Sequence, residues 1–185
     1  SVKLYFGLRR GGRMYYGMNI SSADSPLVTW KIAPQASAGA INTGFGELGE
    51  TWSKPTLSKL RVAVADSASQ SKVKQVLVFG AGYDPLKDEE EIADRLPDQW
   101  GRDVFISGAD TGSALWSLRQ GYYGTSGTQS PVAGASNLAH SVTGDIRILD
   151  MDGNGALDRL YFADTGGNVW RVDMDADVKD ADPTT

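Results

Sequence analysis

Short apolar and aromatic segments recur along the chain, and most are followed by a turn rich in glycine, serine or aspartate. Alternating apolar positions, or short continuous apolar runs, indicate β-strands. One segment differs, because residues 88–95 predict two helical turns that end before Pro97. We therefore expect an all-β protein. The predicted strands are 3–8, 13–20, 27–32, 54–64, 75–80, 104–107, 114–118, 145–149, 159–162 and 168–172.

Three of these strands carry the same motif. Leu4–Gly7, Leu77–Gly80 and Leu160–Ala163 read LYFG, LVFG and LYFA, and they occupy the same place in successive groups of strands. A recurring antiparallel sheet of about four strands is typical of the blades of a β-propeller, which bury their faces by stacking. The chain supplies about two and a half blades, whereas a closed ring needs at least about four. It is therefore either an excerpt of a longer propeller, which we favour, or a chain that closes a ring with copies of itself.

We interpret residues 1–185 as a single partial β-propeller domain with two departures from the strand pattern. Residues 83–101 contain an acidic run, which is usually exposed, and we interpret them as a solvated surface insertion. The tail at 174–185 is acidic and has little apolar surface to bury, so we expect it to fray.

Composition excludes several classes of function. The net charge is -5 and no run of lysine and arginine is present, so the electrostatic signature of a nucleic-acid-binding protein is missing. No apolar run is long enough to predict a membrane span. The chain has no cysteine, which excludes a disulfide framework, a thiolate metal site and a cysteine nucleophile.

Residues 150–158, DMDGNGALD, have the spacing of a calcium-binding loop. Ca²⁺ is held by oxygen atoms from alternate positions of a sharply turned loop, and Gly155 stands at the sixth position, where such loops turn. Tyr161 occupies the twelfth position in place of the bidentate glutamate, which predicts a shortened loop with weaker binding. The alternative is a metal-free turn of residues that favour turns. The predicted ligands are Asp150, Asp152, Asn154, the backbone carbonyl of Ala156, and Asp158.

Three segments together resemble the PilC/PilY proteins of type IV pili. Asp150–Asp173 resembles the family's C-terminal propeller, Gly11–Ile20 its GGRGYYALDV-type hairpin, and Leu48–Pro55 its LGxTWSKP segment. The segments fall in the family's order and span most of the chain. The acidic segment 83–101 and the missing remainder of the ring depart from the family's pattern.

The resemblance implies a quinoprotein-like propeller, seven-bladed when complete, with Ca²⁺ held by the loop residues named above. It implies a place outside the cytoplasm, at the outer membrane or pilus tip of a Gram-negative bacterium. The implied partners are minor pilins, the pilus assembly machinery, and host or abiotic surfaces. Calcium occupancy is implied to oppose pilus retraction, and so to affect twitching motility and attachment.

The main alternative is a propeller fragment of a quinoprotein (PQQ-type) dehydrogenase. Ala109–Trp116 resembles that group's tryptophan-docking repeat, but this motif has a structural role in both families. His140 is the single histidine, and its neighbour Ser141 does not form the separated nucleophile, base and orienting group of acyl transfer. We therefore predict a non-enzymatic module. The aromatic residues interpreted as packing between blades, and not as a ligand-stacking set, are Tyr15, Tyr16, Trp52, Trp116 and Trp170.

Overall fold

The computed structural model describes residues 1–34, 44–64, 67–89, 96–122 and 132–174. Within these ranges the regular structure consists of eleven β-strands and two short 3₁₀ turns, without an α-helix. The strands form three open antiparallel sheets. The prediction of an all-β protein is confirmed.

The sheets follow one another along the chain. The first has the order β1-β2-β3, with strands Lys3–Gly7, Tyr15–Asn19 and Leu27–Ile32. The second has the order β4-β5-β6-β7-β8, with strands Thr56–Val64, Ser67–Gly80, Val104–Gly108, Ala114–Ser117 and Gly121–Tyr122. The third has the order β11-β10-β9, where β9, β10 and β11 are Arg147–Leu149, Arg159–Ala163 and Val169–Asp173.

Most of the predicted strands are present, with two differences. Strand β5 begins at Ser67, eight residues before the predicted start at Gln75, and pairs with β4 along this added length. Strand β8 has two residues and was not predicted. The predicted helical turns at 88–95 are replaced, as far as residue 89, by a 3₁₀ turn at Pro85–Asp88. Residues 90–95 lie outside the described part of the chain.

The repeated motif makes the same kind of cross-strand pair in each sheet. Strands β1, β5 and β10 each present the phenylalanine of the motif to an aromatic residue on the next strand along the chain. Such cross-strand aromatic pairs stabilise a sheet. The pairs are Phe6 with Tyr16, Phe79 with Phe105, and Phe162 with Trp170, with ring centres 5.5, 5.8 and 6.3 Å apart.

Strand β5 is buried on both faces. Val76, Leu77, Val78 and Phe79 are each at most 1% exposed. Successive side chains of a strand point to opposite faces, and the two valines join a core cluster with residues of β10 and β11. Leu77 and Phe79 join a second cluster with residues of β2 and β3. The second sheet is therefore packed between the first and the third.

The segment 83–101 is not solvated at its two ends. Asp84 is 1% exposed, and its carboxylate accepts the backbone N–H groups of Leu86, Gln99 and Trp100 at 3.1, 2.6 and 3.2 Å. This carboxylate joins the start of the segment to its end. The interpretation of a solvated insertion is wrong at this position, because the aspartate satisfies backbone donors that would otherwise be unpaired.

Asp98 joins three parts of the chain and is 2% exposed. Its carboxylate accepts the backbone N–H of Ser141 at 2.5 Å, the hydroxyl of Ser141, and the hydroxyl of Thr165 at 3.1 Å. Lys87 Nζ lies 3.0 Å from the other carboxylate oxygen. Burial alone would raise the pKa of Asp98, but the hydrogen bonds from Ser141 and Lys87 outweigh it and hold this pKa below its ordinary value. The solvated interpretation is wrong here too.

At the end of the described residues, Met174 is 7% exposed and belongs to the core cluster that the second and third sheets share. The prediction of a frayed tail is therefore wrong at its first residue, because the methionine side chain has apolar surface to bury. The rest of the predicted tail, residues 175–185, lies outside the described residues.

The burial of β5 predicts a contrast between two valines on the same strand. Val76 is fully buried and Val73 is 52% exposed. We expect Val76→Ala to lower the free energy of unfolding by about 2–3 kcal/mol, since two methyl groups are lost from a packed core. Val73→Ala is the matched control and should stay within about 0.5 kcal/mol of wild type. Urea unfolding of both variants measures this contrast, and equal losses would contradict the stacking of the sheets.

The depressed pKa of Asp98 predicts a pH dependence. The ionised carboxylate contributes stability above its unfolded pKa, and this stability is lost as the pH falls through the lower folded pKa. Asp98→Asn should therefore destabilise the protein by about 2–3 kcal/mol at pH 7, and the difference from wild type should shrink below about pH 4. Thermal unfolding between these pH values tests this, with the exposed Asp24→Asn as control. A constant difference across the range would show that the ionised form has no special role.

Candidate metal-binding loop

The loop at residues 150–158 connects β9 to β10 and has a fixed base. The backbone N–H of Asp158 donates to the carbonyl of Leu149 at 2.9 Å, which closes the hairpin. The backbone N–H of Leu157 donates to the carbonyl of Lys59 in β4 at 2.8 Å, and the side chain of Leu157 is buried. The loop is therefore attached to the second sheet as well as to the third.

Two glycines give the loop its curvature. Gly153 and Gly155 have φ angles of 76° and 84°, a region that favours glycine because it has no Cβ. The sequence predicted this requirement at Gly155 alone. No heavy atom lies within 4 Å of where a Cβ would stand at either position, so backbone conformation and not crowding requires glycine.

The structure brings the three predicted carboxylates together. One oxygen atom from each of Asp150, Asp152 and Asp158 lies within 4.8 Å of the other two. The first two side chains are exposed and the third is half-buried. Ca²⁺ binds oxygen at about 2.3–2.6 Å, so two ligands on opposite sides of one ion stand about 4.6–5.2 Å apart. Oxygen atoms at this spacing fit within one calcium coordination shell.

Backbone donors orient these carboxylates. The two oxygens of Asp150 accept the N–H groups of Gly153 and Gly155, each at 2.8 Å. Asp158 Oδ2 accepts the N–H of Met151 at 2.5 Å. A carboxylate oxygen that accepts one hydrogen bond retains a second lone pair, so these contacts leave capacity for a cation.

The remaining two predicted ligands lie in the same turn. Asn154 donates its side-chain amide to Asp152 Oδ2 at 2.6 Å and accepts the backbone N–H of Ala156 at 2.8 Å. The backbone N–H of Asn154, and then its side chain, hold the pKa of Asp152 below its ordinary value. Ala156 is buried, so its side chain anchors the end of the loop. The donor set is entirely oxygen, as a hard divalent cation requires.

A second polar grouping surrounds the single histidine. His140 Nδ1 lies 3.8 Å from Asp98 Oδ1, and Ser141 is fully buried with its hydroxyl bonded to the same carboxylate. A serine hydroxyl that is withdrawn from solvent is not accessible to a substrate as a nucleophile. The grouping therefore has a structural role.

Sequence reasoning missed a pocket, which we call the end pocket, of about 350 Å³. Its lining comes from five separate stretches of the chain, so no local motif indicated it. Among the aromatic residues interpreted as packing, Tyr15 and Trp116 are buried in the core clusters, whereas Trp52 is half-buried and lines this pocket. The lining residues are Arg10, Trp52, Tyr83, Thr143 and Thr165.

Comparison with known proteins gives relatives at low identity over nearly the whole chain. The type IV pilus biogenesis factor PilY1 of Pseudomonas aeruginosa is 22% identical over 178 residues, which are 96% of this chain and 12% of the relative. The PilY1 homolog of Xylella fastidiosa is 22% identical over 172 residues, 91% of this chain and 9% of the relative. No family model matches.

Among solved structures, the C-terminal domain of Pseudomonas aeruginosa PilY1 aligns with a TM-score of 0.56 and 21% identity, over 92% of this chain and 26% of that one. The two share their fold over this length. The resemblance to the PilC/PilY proteins predicted from the sequence is thus confirmed. The chain spans only a small part of each relative. No helix among the described residues is long and apolar enough to cross a membrane.

Proposed function

We propose that this chain is a calcium-binding, non-enzymatic β-propeller module of a type IV pilus biogenesis and tip adhesion protein. The observation that carries the pilus assignment is the similarity over more than 90% of the chain to two proteins named as type IV pilus biogenesis factors. The chain covers about a tenth of each relative, so the biogenesis role is proposed for the larger protein of which such a module forms a part.

The stacking of the sheets supports the propeller. Strands β1, β5 and β10 carry the same motif and pair its phenylalanine with an aromatic residue of the next strand. The second sheet is packed face to face between the other two. Successive blades of a propeller bury their faces in this way. A complete ring of seven such sheets is the arrangement that the family resemblance implies.

The spacing of the three loop carboxylates supports calcium as the ion. Without a cation, Asp150, Asp152 and Asp158 repel one another at less than 5 Å. Ion binding would therefore order the loop and add to stability, because the folded loop holds the ligands and the unfolded chain does not. The hydrogen bond from Leu157 to Lys59 would transmit this ordering to the second sheet.

The proposed place of action is outside the cytoplasm, at the pilus tip or outer membrane. The proposed partners are minor pilins, the assembly machinery, and host or abiotic surfaces, with calcium occupancy modulating extension, retraction and attachment. The buried state of Ser141 and the structural use of Asp98 support a role without catalysis. Trp116 lies in the core cluster of the second and third sheets, which favours packing over the cofactor chemistry of a quinoprotein dehydrogenase.

Calcium titration tests the loop directly. We expect isothermal titration of the wild-type chain with CaCl₂ to show one site, and Asp158→Asn to weaken binding by at least about tenfold, because one of three clustered carboxylates is neutralised. Asp24→Asn removes an exposed carboxylate outside the loop and serves as the control. Titration with MgCl₂ should give weaker binding, since Mg²⁺ requires shorter bonds. Wild-type protein that takes up no calcium at millimolar concentration would refute the site.

Thermal unfolding tests whether calcium stabilises the fold. At about 100 times its dissociation constant, a ligand that binds only the folded state adds about 2.7 kcal/mol. We expect calcium to raise the melting temperature of wild type and to leave that of Asp152→Ala nearly unchanged. In the presence of a calcium chelator, Asp152→Ala should be nearly as stable as wild type, because the loss of one carboxylate relieves charge repulsion in an exposed loop. An equal calcium-induced shift in both proteins would contradict the assignment.

A further inference from the structure

The end pocket lies where strands of all three sheets end. Arg10 belongs to the turn after β1, Tyr83 follows β5, and Thr165 belongs to the turn after β10. Strand β10 begins directly after the loop at 150–158 and runs towards Thr165, so the pocket and the acidic loop are at opposite ends of this strand. The pocket is therefore a separate feature from the candidate metal site.

Backbone hydrogen bonds hold the walls of the pocket in place. Tyr83 and Glu50 exchange backbone hydrogen bonds of 2.8 and 2.9 Å, which fix the tyrosine beside the segment that carries Trp52. The backbone N–H of Thr165 donates to the carbonyl of Ser141 at 2.9 Å. Walls held in this way lose little conformational entropy when a ligand binds.

The arginine that lines the pocket already has an acidic partner. Asp88 accepts a hydrogen bond from Arg10 at 2.9 Å through one oxygen and from the hydroxyl of Tyr83 at 2.8 Å through the other. The guanidinium of Arg9 lies 5.4 Å from the ring centre of Trp52, and the indole N–H of Trp52 donates to Glu50 at 3.2 Å. The pairing of Arg10 with Asp88 disfavours an anionic ligand, because that ligand would compete with Asp88 for the guanidinium.

The pocket also offers hydroxyl groups. The hydroxyl of Thr165 donates to Asp98 at 3.1 Å, which leaves its oxygen lone pairs as acceptors. Thr143 adds a second hydroxyl on the wall. A wholly apolar ligand would cover the acceptor lone pairs of Thr165 and the other N–H groups of Arg10 without satisfying them, which is costly. The ligand must therefore present both an apolar face and several hydroxyl groups.

We propose that the end pocket binds a neutral hexopyranose unit of a glycan. The C–H face of such a ring packs against an aromatic side chain, here Trp52, while its hydroxyls both donate and accept hydrogen bonds at Arg10, Thr143 and Thr165. About 350 Å³ is at the lower end of the range of small-molecule sites, which fits one sugar ring. The rest of the glycan extends into solvent from this open cleft.

Nuclear magnetic resonance titration with defined sugars tests this proposal. The ¹⁵N-labelled chain is titrated with the methyl glycosides of mannose, galactose and N-acetylglucosamine. The indole N–H signal of Trp52 and the backbone N–H signals of Arg10 and Thr165 are followed. We expect at least one sugar to give saturable shifts confined to the pocket, with a dissociation constant of about a millimolar, as befits a ligand of roughly a dozen heavy atoms. No saturable shift with any of them up to about 50 mM would overturn the proposal.

Substitutions inside and outside the end pocket test whether the sugar binds there. Trp52→Ala should weaken sugar binding at least about tenfold, and Thr143→Val, which keeps the side-chain shape, about fivefold through the lost hydroxyl. Tyr16→Ala, on the first sheet, is the aromatic control and should bind as wild type does. Asp158→Asn should also bind normally, since the acidic loop is not involved. Sugar binding that survives both pocket substitutions would overturn the assignment.

An anionic ligand is the competing outcome. Acetate and glucuronate are titrated in parallel at two salt concentrations. Saturable, salt-sensitive shifts with these two, and none with the neutral glycosides, would overturn the proposal and identify an anion site at Arg10. Shifts with the neutral glycosides that are insensitive to salt support it.

Discussion

The burial of β5 on both faces is the constraint on which the rest of the structure depends. Four consecutive side chains, 76–79, alternate between two separate core clusters and are shielded from water in both. Hydrophobic burial is the largest favourable contribution to folding. Here the side chains of one strand belong to two separate clusters of buried apolar residues. Because the sheets stack on this strand, the turns that follow β1, β5 and β10 are brought together at one end, where Asp98 joins the surrounding segments.

Much of the fold was predictable because its signals are local. The run 77–80 is apolar at successive positions, as in a strand with no solvent-facing side, and the structure explains this by the two neighbouring sheets. The added length of β5, residues 67–74, was missed because its serine, glutamine and lysine residues resemble a loop and are held by pairing with β4. Strand β8, with two residues, is too short to give a pattern.

The candidate metal-binding loop and the hydrogen-bond network of Asp98 differ in how far apart their residues lie in sequence. The candidate metal ligands fall within nine consecutive residues, so turn chemistry alone predicted that their oxygens would converge. The bonds of Asp98 reach Ser141 and Thr165, which are 43 and 67 residues away. An acidic residue in an acidic stretch is normally solvated, and only tertiary structure reveals the hydroxyl and backbone donors that make its burial favourable. The residues that line the end pocket are also far apart in sequence, so only the tertiary structure shows that they meet.

The double burial of β5 also bears on how such a chain evolves. A side chain that changes size at positions 76–79 disturbs the packing on one face and, through the shifted backbone, the packing on the other. Compensation would require simultaneous changes in two neighbouring sheets. Exposed positions of the same strand, such as Val73 at 52%, carry no comparable restriction. Lineages of this fold should therefore change more slowly at positions 76–79 than at the exposed positions of the same strand.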